Sequence, residues 1–114
     1  MELYSETRDK TLVVTVAEAR IDSAVAIRFK ERMRDLASGG HGRVLLDLSR
    51  VGFVDSSGLG AVVAVMKLLA PECRLELCGL TPTVAKVFRL TRMDRVFTIH
   101  EDCAAALAAQ TTCG

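Results

Sequence analysis

Val44-Leu45-Leu46-Asp47-Leu48 is an almost unbroken apolar run, and such a run marks a central strand covered on both faces. A strand of that kind needs helices packed on it, so the flanking sequence should alternate strands with helices. It does. Leu3 to Glu6 and Thr11 to Val16 read as strands joined by the polar turn Arg8-Asp9-Lys10, the second of them rich in β-branched residues. Asp22 or Ser23 can cap a helix reaching to Ser38, with Val25, Phe29, Met33 and Leu36 on one stripe and Arg28, Lys30, Arg32 and Arg34 on or beside the wet side. Gly39-Gly40-His41-Gly42 ends that helix.

Beyond the central strand, a loop from Ser49 to Val54 leads to a helix over Ser57 to Leu69, closed by Pro71. Arg74 to Cys78 alternates as a strand. Thr81-Pro82 opens a third helix with proline at the first helical position, and Val84, Val87 and Phe88 supply its core face. Val96 to Ile99 reads as a last short strand, Asp102 to Ala109 as a last helix, and the Thr-Thr-Cys-Gly end as frayed. The order β-β-α-β-α-β-α-β-α predicts an α/β layer structure, a mixed β-sheet packed against about four α-helices. At 114 residues the expectation is a single domain spanning 1–114.

Charge and cysteine usage exclude several classes. Fifteen basic side chains against 14 acidic give a net charge of +1, so nothing draws the chain to nucleic acid, whose binders concentrate positive charge. Met1 to Lys10 lacks the form of a signal peptide. The longest nearly uncharged apolar stretch, Gly58 to Met66, falls short of the roughly 20 residues a membrane span needs. The expected location is the cytosol, without membrane insertion. Cys73, Cys78, Cys103 and Cys113 form no C-x-x-C pair, and cytosolic thiols at such spacings are expected to be buried or idle, with neither metal nor cofactor.

The informative segment is Val51 to Gly60, V-G-F-V-D-S-S-G-L-G, a strand-to-helix turn where an acid and two hydroxyls crowd the start of an apolar helix. Asp55 or Ser56 can accept hydrogen bonds from the free N–H groups there, and a well-capped helix needs no more. This turn supplies three capping side chains, then places Gly58 and Gly60 inside the helix at a cost of about 1 kcal/mol each. Glycines there would let a partner approach closely. At 100° per residue, Leu59, Val62, Val63, Met66 and Leu69 face the sheet, while Ala61, Ala64, Val65 and Leu68 form an outer apolar stripe where charges are usual. That stripe is expected to be a docking surface.

The string Leu46-Asp47-Leu48-Ser49 followed by Phe53-Val54-Asp55-Ser56-Ser57-Gly58-Leu59-Gly60 resembles the signature of the STAS family, specifically its bacterial anti-sigma-factor antagonists. Ile21-Asp22 resembles the family's aspartate site, and Thr81 to Phe88 its third helix. The resemblance implies a partner-switching cycle. An unphosphorylated antagonist binds an anti-sigma factor that is also a serine kinase, the kinase phosphorylates the second serine of the motif, here Ser57, and a serine phosphatase resets it. It implies that Asp22 lies close to Ser57 and shapes the kinase-facing surface, that Asp55 and Ser56 fix the turn, and that Gly58 keeps it accessible. The family usually carries glycine three residues before the aspartate; Ala19 stands there in this chain and fits if its φ is negative.

Other residues invite plainer readings. Asp22 is equally an ordinary N-cap, Asp47 is structural at a strand end, and His41 and His100 are solvated. Arg28 to Arg34 form a wet face; Arg89, Arg92 and Arg95 are solvated or could pair with a phosphate. No nucleophile, base and orienting group stand together, and no G-x-x-x-x-G-K-[ST] loop occurs, so no enzyme is expected. Within the same family, the alternatives are an adaptor subunit of an ABC-type lipid transport complex or a stressosome component. A monomer or weak homodimer is expected.

Overall fold

The computed structural model describes residues 1–109; Cys113 and the expected frayed end lie outside the described residues. A five-stranded sheet organises the chain. Strands β1 (Leu3–Arg8) and β2 (Thr11–Val16) pair antiparallel through the Asp9-Lys10 turn. β2, β4 (Arg43–Asp47), β6 (Arg74–Cys78) and β7 (Ile99–His100) then run parallel, in the order β1-β2-β4-β6-β7. The mixed sheet matches the expectation, and β4 is its central strand, with Val44, Leu45 and Leu46 fully buried.

Alternation along the strands sorts the residues to two faces. Leu12, Val14 and Val16, Val44 and Leu46, and Leu75 and Leu77 enter the main core with α1 (Ala26–Ala37), α2 (Ser56–Leu69) and α3 (Pro82–Leu90). Phe29 and Met33 of α1 and Phe88 of α3 are buried completely, as the helical stripes predicted. Val13, Leu45 and Cys78 point to the other face and meet α4 (Cys103–Ala109) through Cys103, Ala106 and Leu107.

Several boundaries differ from expectation. The turn 23–25 is not helical, so α1 starts at Ala26 and has no side-chain cap. Val96–Thr98 is not strand, because a 3₁₀ turn at Met93–Arg95 takes up the chain and only Ile99 and His100 pair with β6. Two dipeptide strands, β3 (Arg20–Ile21) and β5 (Phe53–Val54), pair in parallel as a second small sheet that periodicity did not reveal.

The α4 face also carries charge. Glu76 in β6 is almost wholly buried, and its Oε1 accepts from Arg43 Nε at 2.9 Å and from His100 Nε2 at 2.8 Å, while Arg74 Nε approaches Oε2 at 2.7 Å. His100 is therefore no solvated histidine; its strand position aims it at a buried carboxylate. Arg43 Nη2 donates to the Ala106 carbonyl at 2.7 Å, so the same cluster fastens α4.

Burial pushes the Glu76 carboxyl up, but the hydrogen bonds from His100 and Arg43 and the charges of Arg43 and Arg74 outweigh it and hold the group below its usual range. A carboxylate lowered in the folded state contributes stability above its unfolded pKa and loses it as pH falls through the folded value. Stability should therefore fall on acidification below the ordinary carboxylate range. Glu76→Gln should flatten that limb and cost about 3–5 kcal/mol at neutral pH, because Arg43 is left buried and unpaired. Urea unfolding from pH 7 down to pH 3 checks both outcomes.

Candidate functional site

At one end of the sheet, the chain leaves β2 and β4 into two loops that are laced together. Gly52 N–H donates to the Ala19 carbonyl at 2.8 Å, β3 pairs with β5, and Asp55 N–H donates to the Ile21 carbonyl at 3.3 Å. Ala19 has no positive φ, as its fit required. Thr81 Oγ1 donates to the Val51 carbonyl at 2.8 Å and ties the start of α3 to the same loop.

Asp55 holds the centre. It is the N-cap of α2; Oδ1 accepts from Gly58 N–H at 2.8 Å and Oδ2 from Ser23 N–H at 3.3 Å. One carboxylate thus caps the helix and clips the neighbouring loop. Asp55, rather than Ser56, takes the capping role, which leaves Ser56 and Ser57 as exposed first-turn residues. Among the described residues, no side-chain hydrogen bond engages the Ser57 hydroxyl.

Gly58 is buried, contrary to the expectation that it keeps the turn open. A Cβ there would sit 1.9 Å from the Ile21 carbonyl oxygen, so the close approach it permits is by this chain's own loop. That approach brings the loop carrying Asp22 against the first turn of α2. Asp22 Oδ1 accepts from Ala24 N–H at 3.1 Å, and Oδ2 lies 3.3 Å from Arg20 Nε. Asp22 therefore turns the loop and caps no helix. Arg20 also lies over the half-exposed Phe53 ring, 4.8 Å from its centroid. Sequence reasoning missed this pair because its residues meet only through β3 and β5. By contrast, Gly60 is exposed and a Cβ there would meet nothing.

The outer stripe of α2 needs correction. Ala61 and Val65 are buried, and with Gly58 and Val62 they form the covered face, while Leu59, Val63, Met66 and Leu69 are partly buried beside the core. The helix is apolar nearly all round because it packs on both the sheet and α1, so a missing charged face does not mark a docking surface here. Ala64 is half-buried and Leu68 exposed; with Val65 they line an open cavity of about 340 Å³, completed by Ile27, Lys30, Glu31 and Arg34 of α1. Arg89, Arg92 and Arg95 are exposed on α3 and the turn after it.

The two helix glycines should respond with opposite signs. Gly58→Ala forces α2 away from Ile21 and should cost about 1–3 kcal/mol. Gly60→Ala meets no atom and should gain up to about 1 kcal/mol from helix propensity. Urea midpoints of the two variants check this; equal shifts would contradict the packing.

Comparison with known proteins agrees with this arrangement. The STAS domain family matches residues 3–106. BtrV of Bordetella bronchiseptica, whose name marks it as a candidate anti-sigma factor antagonist, is 31% identical over 109 residues, covering 93% of this chain and 94% of that one. The crystal structure of an anti-sigma factor antagonist from Mycobacterium paratuberculosis superposes with a TM-score of 0.85 at 25% identity, over 95% of this chain and 92% of that one. SpoIIAA, a Bacillus cell fate determinant solved in its phosphorylated form, shares the fold at a TM-score of 0.67 and 22% identity, over 94% and 97% of the two chains. The chain belongs to the STAS domain family and, within it, to the anti-sigma factor antagonists.

Proposed function

We propose that this protein binds an anti-sigma factor with serine kinase activity while Ser57 is unmodified, and that phosphorylation of Ser57 releases it. A serine phosphatase resets the cycle. The observation that carries the reading is the exposed Ser57 hydroxyl, unengaged by any side chain among the described residues, on a helix whose cap is already supplied by Asp55. A serine needed as a cap could not be modified without cost to the fold; this one is not the cap. SpoIIAA, which shares the fold, has been solved in phosphorylated form.

The physics of the site favours a change of surface over a change of fold. A phosphate adds about −1.5 to −2 charge at neutral pH. At a helix N-terminus that charge is favourable by roughly 0.3–1 kcal/mol for an exposed site. Facing a partner, the same charge beside Asp22 and Asp55 brings repulsion and desolvation, and each 1.4 kcal/mol lost is about tenfold in affinity. In this reading Asp22, Asp55, Ser56, Gly58, Arg20 and Phe53 shape or support the contact surface. The chain itself acts as a non-catalytic ligand of its partners in the cytosol.

Co-purification from the native cell with wild type, Ser57→Ala and Ser57→Asp, followed by intact-mass analysis, tests the reading. The expected result is a kinase-type anti-sigma factor retained by wild type and Ser57→Ala, at least tenfold depleted with Ser57→Asp, and a phosphate mapping to Ser57. Transporter subunits or a very large assembly retained equally by all three variants, with no phosphate, would favour an adaptor or stressosome role instead.

A further inference from the structure

We propose that Cys78 and Cys103 are a disulfide-forming pair that covalently fastens α4 to the sheet when the chain meets a low-molecular-weight disulfide. Cys78 ends β6 and is fully buried; Cys103 opens α4 and is half-buried. Their sulfurs lie 2.9 Å apart, closer than non-bonded sulfurs pack, while Cys73 sits at the far end of β6. Short helices have little stability of their own, and the seven-residue α4 is held by the Arg43 bond to the Ala106 carbonyl and the burial of Ala106. A bond at its first residue would add a covalent fastening at the N-terminal end, ahead of that mid-helix anchor.

The chemistry is a two-step exchange. The Cys103 sulfur, the more accessible of the two, loses its proton and attacks one sulfur of the reagent disulfide RSSR. The S–S bond breaks, and RS⁻ leaves and takes up a proton. The Cys78 sulfur then attacks the Cys103 sulfur of the mixed disulfide, expelling the second thiol. In sum, two protein thiols and RSSR become one protein disulfide and two RSH; the protein is oxidised by two electrons and the reagent reduced by two.

Asp47 lies against the pair and adds to the cost of ionising it. Its Oδ2 lies 3.4 Å from Cys103 Sγ, and its Oδ1 accepts from Ser49 N–H at 2.9 Å. Burial first pushes both thiols above their ordinary range; the Cys103 hydrogen bond and charge add to this at Cys78, the hydrogen bond between the thiols offsets part of it at Cys103, and the charges of Asp47 and Asp102 raise both further. The pair is therefore adjacent but slow to ionise, and removing the Asp47 charge should speed closure. Asn at this position keeps the Oδ1 acceptor for Ser49.

The test uses the full chain with Cys113→Ser, so that each remaining cysteine falls in its own tryptic peptide: 68–74 holds Cys73, 75–86 holds Cys78 and 96–114 holds Cys103. After equilibration with oxidised glutathione, the expected protein has lost two hydrogens, with peptides 75–86 and 96–114 linked and Cys73 still open to alkylation. Its unfolding temperature should rise and return on reduction, and Asp47→Asn should close faster. A stable glutathione adduct on Cys103, a link to Cys73, or free thiols at 78 and 103 even in Asp47→Asn would overturn the proposal. So would saturable Zn²⁺ uptake by the untreated chain that is lost in Cys103→Ala, since Asp47, Cys78 and Cys103 offer donors within 4.8 Å of one another and would then be a metal site.

Discussion

The contact between Gly58 and the Ile21 carbonyl decides how the rest of the site can be arranged. With a side chain at 58, α2 could not approach the loop after β2, since even a Cβ would lie 1.9 Å from that oxygen. Because it can approach, Asp55 reaches both Gly58 N–H and Ser23 N–H, and β3 and β5 pair beneath them. Two loops that would otherwise move independently become one platform. The hydroxyl of Ser57 is presented on that platform without helping to build it.

The sheet separates two tasks. One face carries the main apolar core under α1, α2 and α3, and it supports the Ser57 platform. The other carries a buried ionic cluster around Glu76, the adjacent thiols and the short α4. Hydrophobic burial is non-directional, so the first face needs pattern and volume more than exact partners. Buried charge is costly unless paired, so the second face depends on each hydrogen bond to Glu76 being made. Changes to the two faces should therefore be separable, with acid sensitivity on one and the proposed partner exchange on the other.

Much of this was legible in the residues. The run at Val44 to Leu48, the stripe through Phe29 and Met33 and the Thr81-Pro82 start each follow from local pattern, and each element formed over that pattern, although α1 begins only at Ala26 and β4 ends at Asp47. The Asp-Ser-Ser-Gly turn was legible as a helix start of unusual composition. What failed were judgements that depend on neighbours distant in sequence. Ala61 and Val65 looked exposed because a helical wheel shows one buried face, whereas α2 is covered on two sides. Gly58 looked open because nothing in the sequence announces the Ile21 carbonyl. His100 looked solvated because its partner lies 24 residues away on β6.

The central claim is that phosphorylation at Ser57 changes a surface and leaves the fold intact. Backbone amide NMR of the chain carrying phosphoserine at position 57, compared with the unmodified chain, tests this most directly. The account predicts shifts confined to residues 19–24 and 52–60, with an unfolding temperature equal to or above that of the unmodified protein. Shifts spread through α1, β4 and β6, or a lowered unfolding temperature, would show that the phosphate acts by disrupting the fold and would contradict it.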